Sequence, residues 1–157
     1  MDWRVYKGSS EANNYSPLFQ INKSNVKTLQ PAWSFYPEDE PDNFRIWKYE
    51  CNPITVDTLM YLTSAWRWLY AINATTGQKI WSFDPLKGSR GGGVLRGVTY
   101  WQGNGKKRVF ITAGNHLFSV DAVTGTPDVD FGANGMVNLN IEEGESRDTR
   151  VQVSTQG

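Results

Sequence analysis

The chain has 157 residues, enough for one domain with a sizeable core, and its 16 basic and 16 acidic side chains cancel to a formal net charge of zero. That balance supplies no field to steer nucleic acid or an anionic membrane, so both are disfavoured as partners. A single cysteine, Cys51, excludes an intrachain disulfide and a cysteine-based metal cluster, and no stretch approaches the roughly 20 apolar residues that cross a bilayer as a helix.

Met1-Asp2-Trp3 carries neither a basic nor an apolar leader signal. Residues 1–30 are polar and aromatic, with turn punctuation at Asn13-Asn14 and Ser16-Pro17 and a predicted helical turn over Asn25-Val26-Lys27-Thr28-Leu29; they read as a lead-in. Pro31-Ala32-Trp33-Ser34-Phe35-Tyr36 alternates around Trp33 and predicts a strand, followed by an acidic, proline-bounded loop from Pro37 to Asp42. Tyr49 to Thr63 predicts two strands broken at Asp57-Thr58, and a hairpin then runs to Trp81-Ser82-Phe83. From Asp84 to Gly93 proline, glycine, serine and basic residues predict a loop; strands resume over Val94 to Trp101, continue to about Val120, and end with Met136 to Ile141. Val151 to Gly157 reads as the start of another strand, so the chain is expected to be a piece of a longer polypeptide.

The strongest signal is a repeat. Leu69-Tyr70-Ala71-Ile72-Asn73-Ala74-Thr75-Thr76-Gly77 returns 48 residues later as Leu117-Phe118-Ser119-Val120-Asp121-Ala122-Val123-Thr124-Gly125. A period in the forties marks the blades of a β-propeller. Asn73 and Asp121 can bond their own backbone two residues on, and Gly77 and Gly125 supply the positive φ of the turn into the next strand. Trp81 follows Gly77 by four residues, placing a flat ring where it can wedge between blades, whereas the second copy has Val129 at that offset and a delayed Phe131. The fold class predicted is all-β, a partial β-propeller: lead-in 1–30, first blade 31–83, second blade 94–141, and the start of a third over 142–157. The remaining blades are then the chain's obligatory partners.

Charged and titratable outliers have plain readings. Lys106-Lys107-Arg108 follows the hairpin signal Gly103-Asn104-Gly105 and reads as a solvated loop tip; Glu142-Glu143-Gly144-Glu145 reads as a solvated loop; the lone His116 reads as a solvent-facing turn residue. Cys51 reads as a small buried side chain, or one lying against a ligand because of its neighbours.

Taken in order, several segments resemble the N-terminal part of the quinoprotein dehydrogenases, which oxidise sugars and alcohols with pyrroloquinoline quinone (PQQ). They are Trp3-Arg4-Val5-Tyr6, Tyr15-Ser16-Pro17-Leu18, Gln20-Ile21-Asn22-Lys23-Ser24-Asn25-Val26, Glu50-Cys51-Asn52-Pro53-Ile54, the Ala71–Trp81 repeat, Arg96-Gly97-Val98-Thr99-Tyr100-Trp101 and Asp130-Phe131-Gly132-Ala133-Asn134-Gly135. The resemblance implies an eight-bladed propeller holding PQQ and calcium near its axis, with this chain supplying roughly the first quarter. It implies that Glu50 bonds the quinone, that Arg96 contacts its dione oxygens, and, more loosely, that Ser154 or Thr155 bonds PQQ. A guanidinium offers paired donors to oxygens that gain negative charge on reduction.

Gly91-Gly92-Gly93 departs from the family, standing where relatives carry a vicinal disulfide or a histidine over one face of PQQ. The catalytic base and the calcium ligands are expected outside this segment, which alone should be inactive. The resemblance further implies hydride transfer from a sugar or alcohol, ubiquinone or a cytochrome as electron acceptor, and a periplasmic site, in some relatives tethered to the inner membrane. A non-catalytic propeller scaffold built from the same repeat is the alternative reading, and a carbohydrate-binding β module a third.

Overall fold

The computed structural model describes residues 2–39, 48–88 and 94–140. Two four-stranded antiparallel sheets carry the chain, each strand paired with the next in sequence. The first contains β1 (Ile54–Val56), β2 (Leu59–Thr63), β3 (Leu69–Asn73) and β4 (Lys79–Phe83); the second contains β5 (Thr99–Gly103), β6 (Lys106–Ala113), β7 (His116–Asp121) and β8 (Met136–Asn138). The helical turn expected near residue 26 is a single 3-10 turn, Val26–Thr28.

Turn chemistry sets the strand ends. Asn104 and Gly105 both take positive φ, 51° and 74°, which is the geometry of a two-residue hairpin and registers Gly103 opposite Lys106. In the repeated hairpins Asn73 Oδ1 accepts from the Thr75 and Thr76 amides at 2.9 and 3.1 Å, and Asp121 Oδ1 accepts from Val123 and Thr124 at 2.9 and 2.8 Å. The Gly77 amide donates to Asn73 O and the Gly125 amide to Asp121 O, each at 2.8 Å, so the two corners are copies.

Alternation then decides the packing. Tyr61, Leu69 and Ala71 turn one face of the first sheet onto Val109, Ile111, Phe118 and Val120 of the second, forming the main core. Leu62, Tyr70 and Ile72 turn the opposite face onto Trp33, Phe35 and Trp68. The two middle strands β2 and β3 are therefore buried on both faces, as in a blade between neighbours, while the outer strand β4 stays largely exposed. Across the main interface Tyr61 Oη and Trp81 Nε1 both donate to Ala122 O, at 3.0 and 3.2 Å, and Lys107 Nζ lies 3.0 Å from Asp57 Oδ2.

The strand predicted over Pro31–Tyr36 belongs to neither ladder, because no described strand lies alongside it. Its side chains position it instead. Trp33 Nε1 donates to Ala74 O at 3.2 Å, as Trp81 does to Ala122 O 48 residues on. Phe35 meets Tyr70 edge-on at 5.3 Å, and Phe83 meets Phe118 likewise at 5.9 Å. Residues 33–35 thus sit on the first sheet as 81–83 sit on the second. Lys79 Nζ, 3.3 Å from Glu38 Oε2, ties the end of this segment to β4.

Two further boundaries shift. The apolar run from Val94 enters the sheet only at Thr99, since Leu95 and Val98 are buried beneath the strands rather than paired within them. After the second hairpin, Val120 bridges Pro127, the segment 129–135 loops out, and β8 resumes pairing at Met136. Val129 is consequently exposed, and the delayed Phe131 packs on Phe110 of its own sheet at 5.4 Å. The expected third-blade start over 142–157 lies outside the described residues.

Candidate functional site

Glu50 and Arg96, 46 residues apart in sequence, meet at the end of the first sheet where β1 begins. Glu50 Oε2 is 3.1 Å from Arg96 Nε, and Glu50 Oε1 is 2.5 Å from Lys48 Nζ. Lys48 and Glu50 share a face because an extended segment returns the same side every second residue. The Lys48 ammonium first, and then the Arg96 guanidinium, hold the Glu50 carboxyl below the usual glutamate range. Among the described residues two cations flank one carboxylate, and their N–H groups are charge-assisted donors of the kind that hold an anion's oxygens. The three side chains are 28–61% exposed, so the cluster is open to a ligand.

The backbone beneath these groups is tied down. Asn52 bonds Arg96 O twice, through its amide at 2.8 Å and its Nδ2 at 2.9 Å, and forms a parallel bridge with Gly97. On the other side of the segment Tyr49 Oη donates to Thr63 O at 2.7 Å, and the Thr63 amide donates to Cys51 Sγ at 3.2 Å. Burial pushes the Tyr49 phenol well above its ordinary value, so it remains a donor. Cys51 is half-buried, packed against the second core cluster.

A second polar cluster lies at the β2–β3 tip. Ser64 Oγ accepts from the Trp66 and Trp68 amides at 3.2 and 3.1 Å and donates to the Asp39 carboxylate. Half-burial raises the Asp39 carboxyl above its ordinary range, against the lowering effect of the Ser64 and Tyr70 hydroxyls. The lysine-rich tip predicted from residues 106–108 is more structured than a solvated loop: Lys106 Nζ is 2.8 Å from Asp130, Arg108 pairs with Asp128, and the Arg108 guanidinium lies 5.3 Å from the Trp101 ring centroid. His116 is not a turn residue; it opens β7, half-buried, with its ring 6.0 Å from Phe118. Ser154 and Gly91-Gly92-Gly93 lie outside the described residues. Among the described residues no three His, Cys, Asp or Glu side chains gather as a metal site, and no helix is long and apolar enough to cross a membrane.

A family model described as the PQQ, glucose/ethanol/alcohol dehydrogenase β-propeller domain matches residues 3–157. The chain belongs to the quinoprotein dehydrogenase propeller family. Among the curated members of that family it is 38% identical over 130 residues to the dehydrogenase subunit of the quinone alcohol dehydrogenase of Gluconobacter oxydans, covering 79% of this chain and 16% of that one. It is 34% identical over 162 residues to quinoprotein glucose dehydrogenase A of Acinetobacter calcoaceticus, covering 88% of this chain and 20% of the relative. The chain therefore spans a fifth or less of the length of these quinoproteins. The crystal structure of quinohemoprotein alcohol dehydrogenase from Comamonas testosteroni superposes with a TM-score of 0.63 at 35% identity, over 79% of this chain and 18% of that one. The two described sheets are accordingly propeller blades.

Sequence reasoning passed over Lys48, Tyr49 and Asn52 as contributors. Alternation around Glu50 marks Lys48 as a same-face neighbour, but Tyr49 and Asn52 act through backbone groups of residues distant in sequence, Thr63 and Arg96, which no local pattern reveals.

Proposed function

We propose that this chain supplies the opening blades of a PQQ-dependent dehydrogenase that oxidises a sugar or an alcohol. The observation that carries this reading is the Lys48–Glu50–Arg96 cluster at one end of the blades, in a chain of the quinoprotein family. Its donor set fits PQQ, a flat anion with three carboxylates and an ortho-dione. Arg96 would bind the dione oxygens, its fixed charge favouring the form in which they carry more electron density. Glu50 would accept from a cofactor hydroxyl or ring N–H, orienting the ring, while Lys48 balances the carboxylate charge. Bound PQQ supplies the chemistry, accepting the two electrons of a hydride from the substrate carbon.

Ser154 is proposed as a further cofactor contact. The calcium ion that polarises the quinone as a Lewis acid, and the base that takes the substrate proton, would be held by other parts of the polypeptide. Electrons would pass to ubiquinone or a cytochrome, in the periplasm. Support for that acceptor class comes from relatives named as quinone or cytochrome c dehydrogenases, such as the 1-butanol dehydrogenase (cytochrome c) of Thauera butanivorans, 31% identical over 131 residues. The test is reduction of an artificial acceptor by the full-length protein with an aldose or alcohol. Activity should require both added PQQ and calcium after their removal; full activity without PQQ would overturn the reading.

A further inference from the structure

Glu50 belongs to no ladder among the described residues, so its backbone needs another anchor. The β1–β2 register pairs Ile54 with Tyr61, and continuing it would set Asn52 opposite Thr63. The ladder stops short of that pair. Asn52 is turned away, its amide and its Nδ2 both donating to Arg96 O. The backbone groups of Thr63 at the end of β2 would be left without partners, in a residue that is fully buried. Side chains take them instead: Tyr49 Oη bonds Thr63 O at 2.7 Å and Cys51 Sγ accepts from the Thr63 amide at 3.2 Å. These are the two residues flanking Glu50, and both point to the face opposite its carboxylate.

We propose that Tyr49 and Cys51 are positioning residues of the cofactor site, gripping both backbone groups of Thr63 so that Glu50 is presented to Arg96 and to the quinone. The proposal rests on the cofactor reading above. A thiol and a phenol replace two ladder bonds, and the backbone between them is thereby set off β2 toward Asn52 and Arg96. Without the grip, Glu50 keeps its ion pairs but its backbone is free to shift, and a misplaced carboxylate costs affinity for a rigid ligand.

The test is titration of the full-length apoprotein with PQQ, followed by the absorbance of the bound quinone, for Tyr49→Phe, Cys51→Ala, Cys51→Ser and Glu50→Gln. Tyr49 is 52% exposed, and Tyr49→Phe keeps the ring while removing only the hydroxyl. Tyr49→Phe and Cys51→Ala are each expected to raise the PQQ dissociation constant about three- to tenfold. Cys51→Ser, whose hydroxyl also accepts from the Thr63 amide, should stay within about twofold of the parent. Hydrogen exchange at the Thr63 amide of the apoprotein should quicken in Cys51→Ala and not in Cys51→Ser. Unchanged affinity in both Tyr49→Phe and Cys51→Ala, with Glu50→Gln weakened, overturns the grip alone. Equal losses in Cys51→Ala and Cys51→Ser overturn it too, since volume and not the bond would then matter. Unchanged affinity in Glu50→Gln overturns the cofactor reading itself.

Discussion

Substituting alanine for Gly125 isolates the contact that joins the two blades. Gly125 has φ +74°, and a Cβ built on it would lie 2.6 Å from Cδ2 and Cε3 of the Trp81 indole. Gly105 has the same φ of +74° at the tip of the β5–β6 hairpin, with nothing within 4 Å of its would-be Cβ. Both alanines pay the left-handed backbone cost of about 1–2 kcal/mol. Only Ala at 125 also forces the indole back by about 1 Å toward an ordinary carbon–carbon separation, an overpacking cost of about 1–3 kcal/mol. That movement stretches the 3.2 Å bond from Trp81 Nε1 to Ala122 O as well. Hydrogen exchange of the Val109 and Val120 amides in the full-length polypeptide reads both variants with one set of probes, because both turns belong to the second sheet. Gly125→Ala should lower protection by about 1–3 kcal/mol more than Gly105→Ala, and the excess should shrink in a Trp81→Phe background. Equal losses in the two variants would refute the account of glycine as the seat of the tryptophan.

Tyr61→Phe removes one of two donors to Ala122 O and leaves Trp81 bonded to it, so the interface should lose about 1 kcal/mol in urea unfolding of the full-length protein, with an unchanged slope. Asp39→Asn keeps an acceptor for Ser64 and removes a half-buried charge. Burial raises the Asp39 carboxyl in the folded state, so the folded chain binds the extra proton and stability falls as pH rises through that range. The asparagine variant should therefore gain stability relative to the parent at neutral pH and lose the advantage in acid, as thermal melts at the two pH values will report.

Much of the fold is written in local chemistry. Asn73 and Asp121, each four residues before a glycine, mark hairpin corners by their own side-chain bonding, and those corners form as read. The docking partner of the first corner is also in the sequence: Trp33-Ser34-Phe35 and Trp81-Ser82-Phe83 are 48 residues apart, the same period as the hairpins. Alternation around Trp33 predicts a strand, but a ladder needs a neighbour, and Trp33 and Phe35 are fixed through their rings instead. The series does not continue: 48 residues after Trp81 stands Val129, exposed on the loop over 129–135. At the site, Glu50 and Arg96 are legible through the family resemblance, whereas composition offers only two polar residues near strand ends. The grip of Tyr49 and Cys51 on Thr63 spans 12–14 residues and uses backbone groups, so nothing in the side-chain pattern announces it.

The central claim is that the Glu50–Arg96 end of these blades faces the quinone. Titrating the full-length apoprotein with PQQ, for Arg96→Ala against Lys106→Ala, tests it most directly, since both variants remove one cation and only Arg96 touches Glu50. The account predicts a loss of affinity of at least about tenfold for Arg96→Ala and parent-like binding for Lys106→Ala. Equal affinities in the two variants would contradict it.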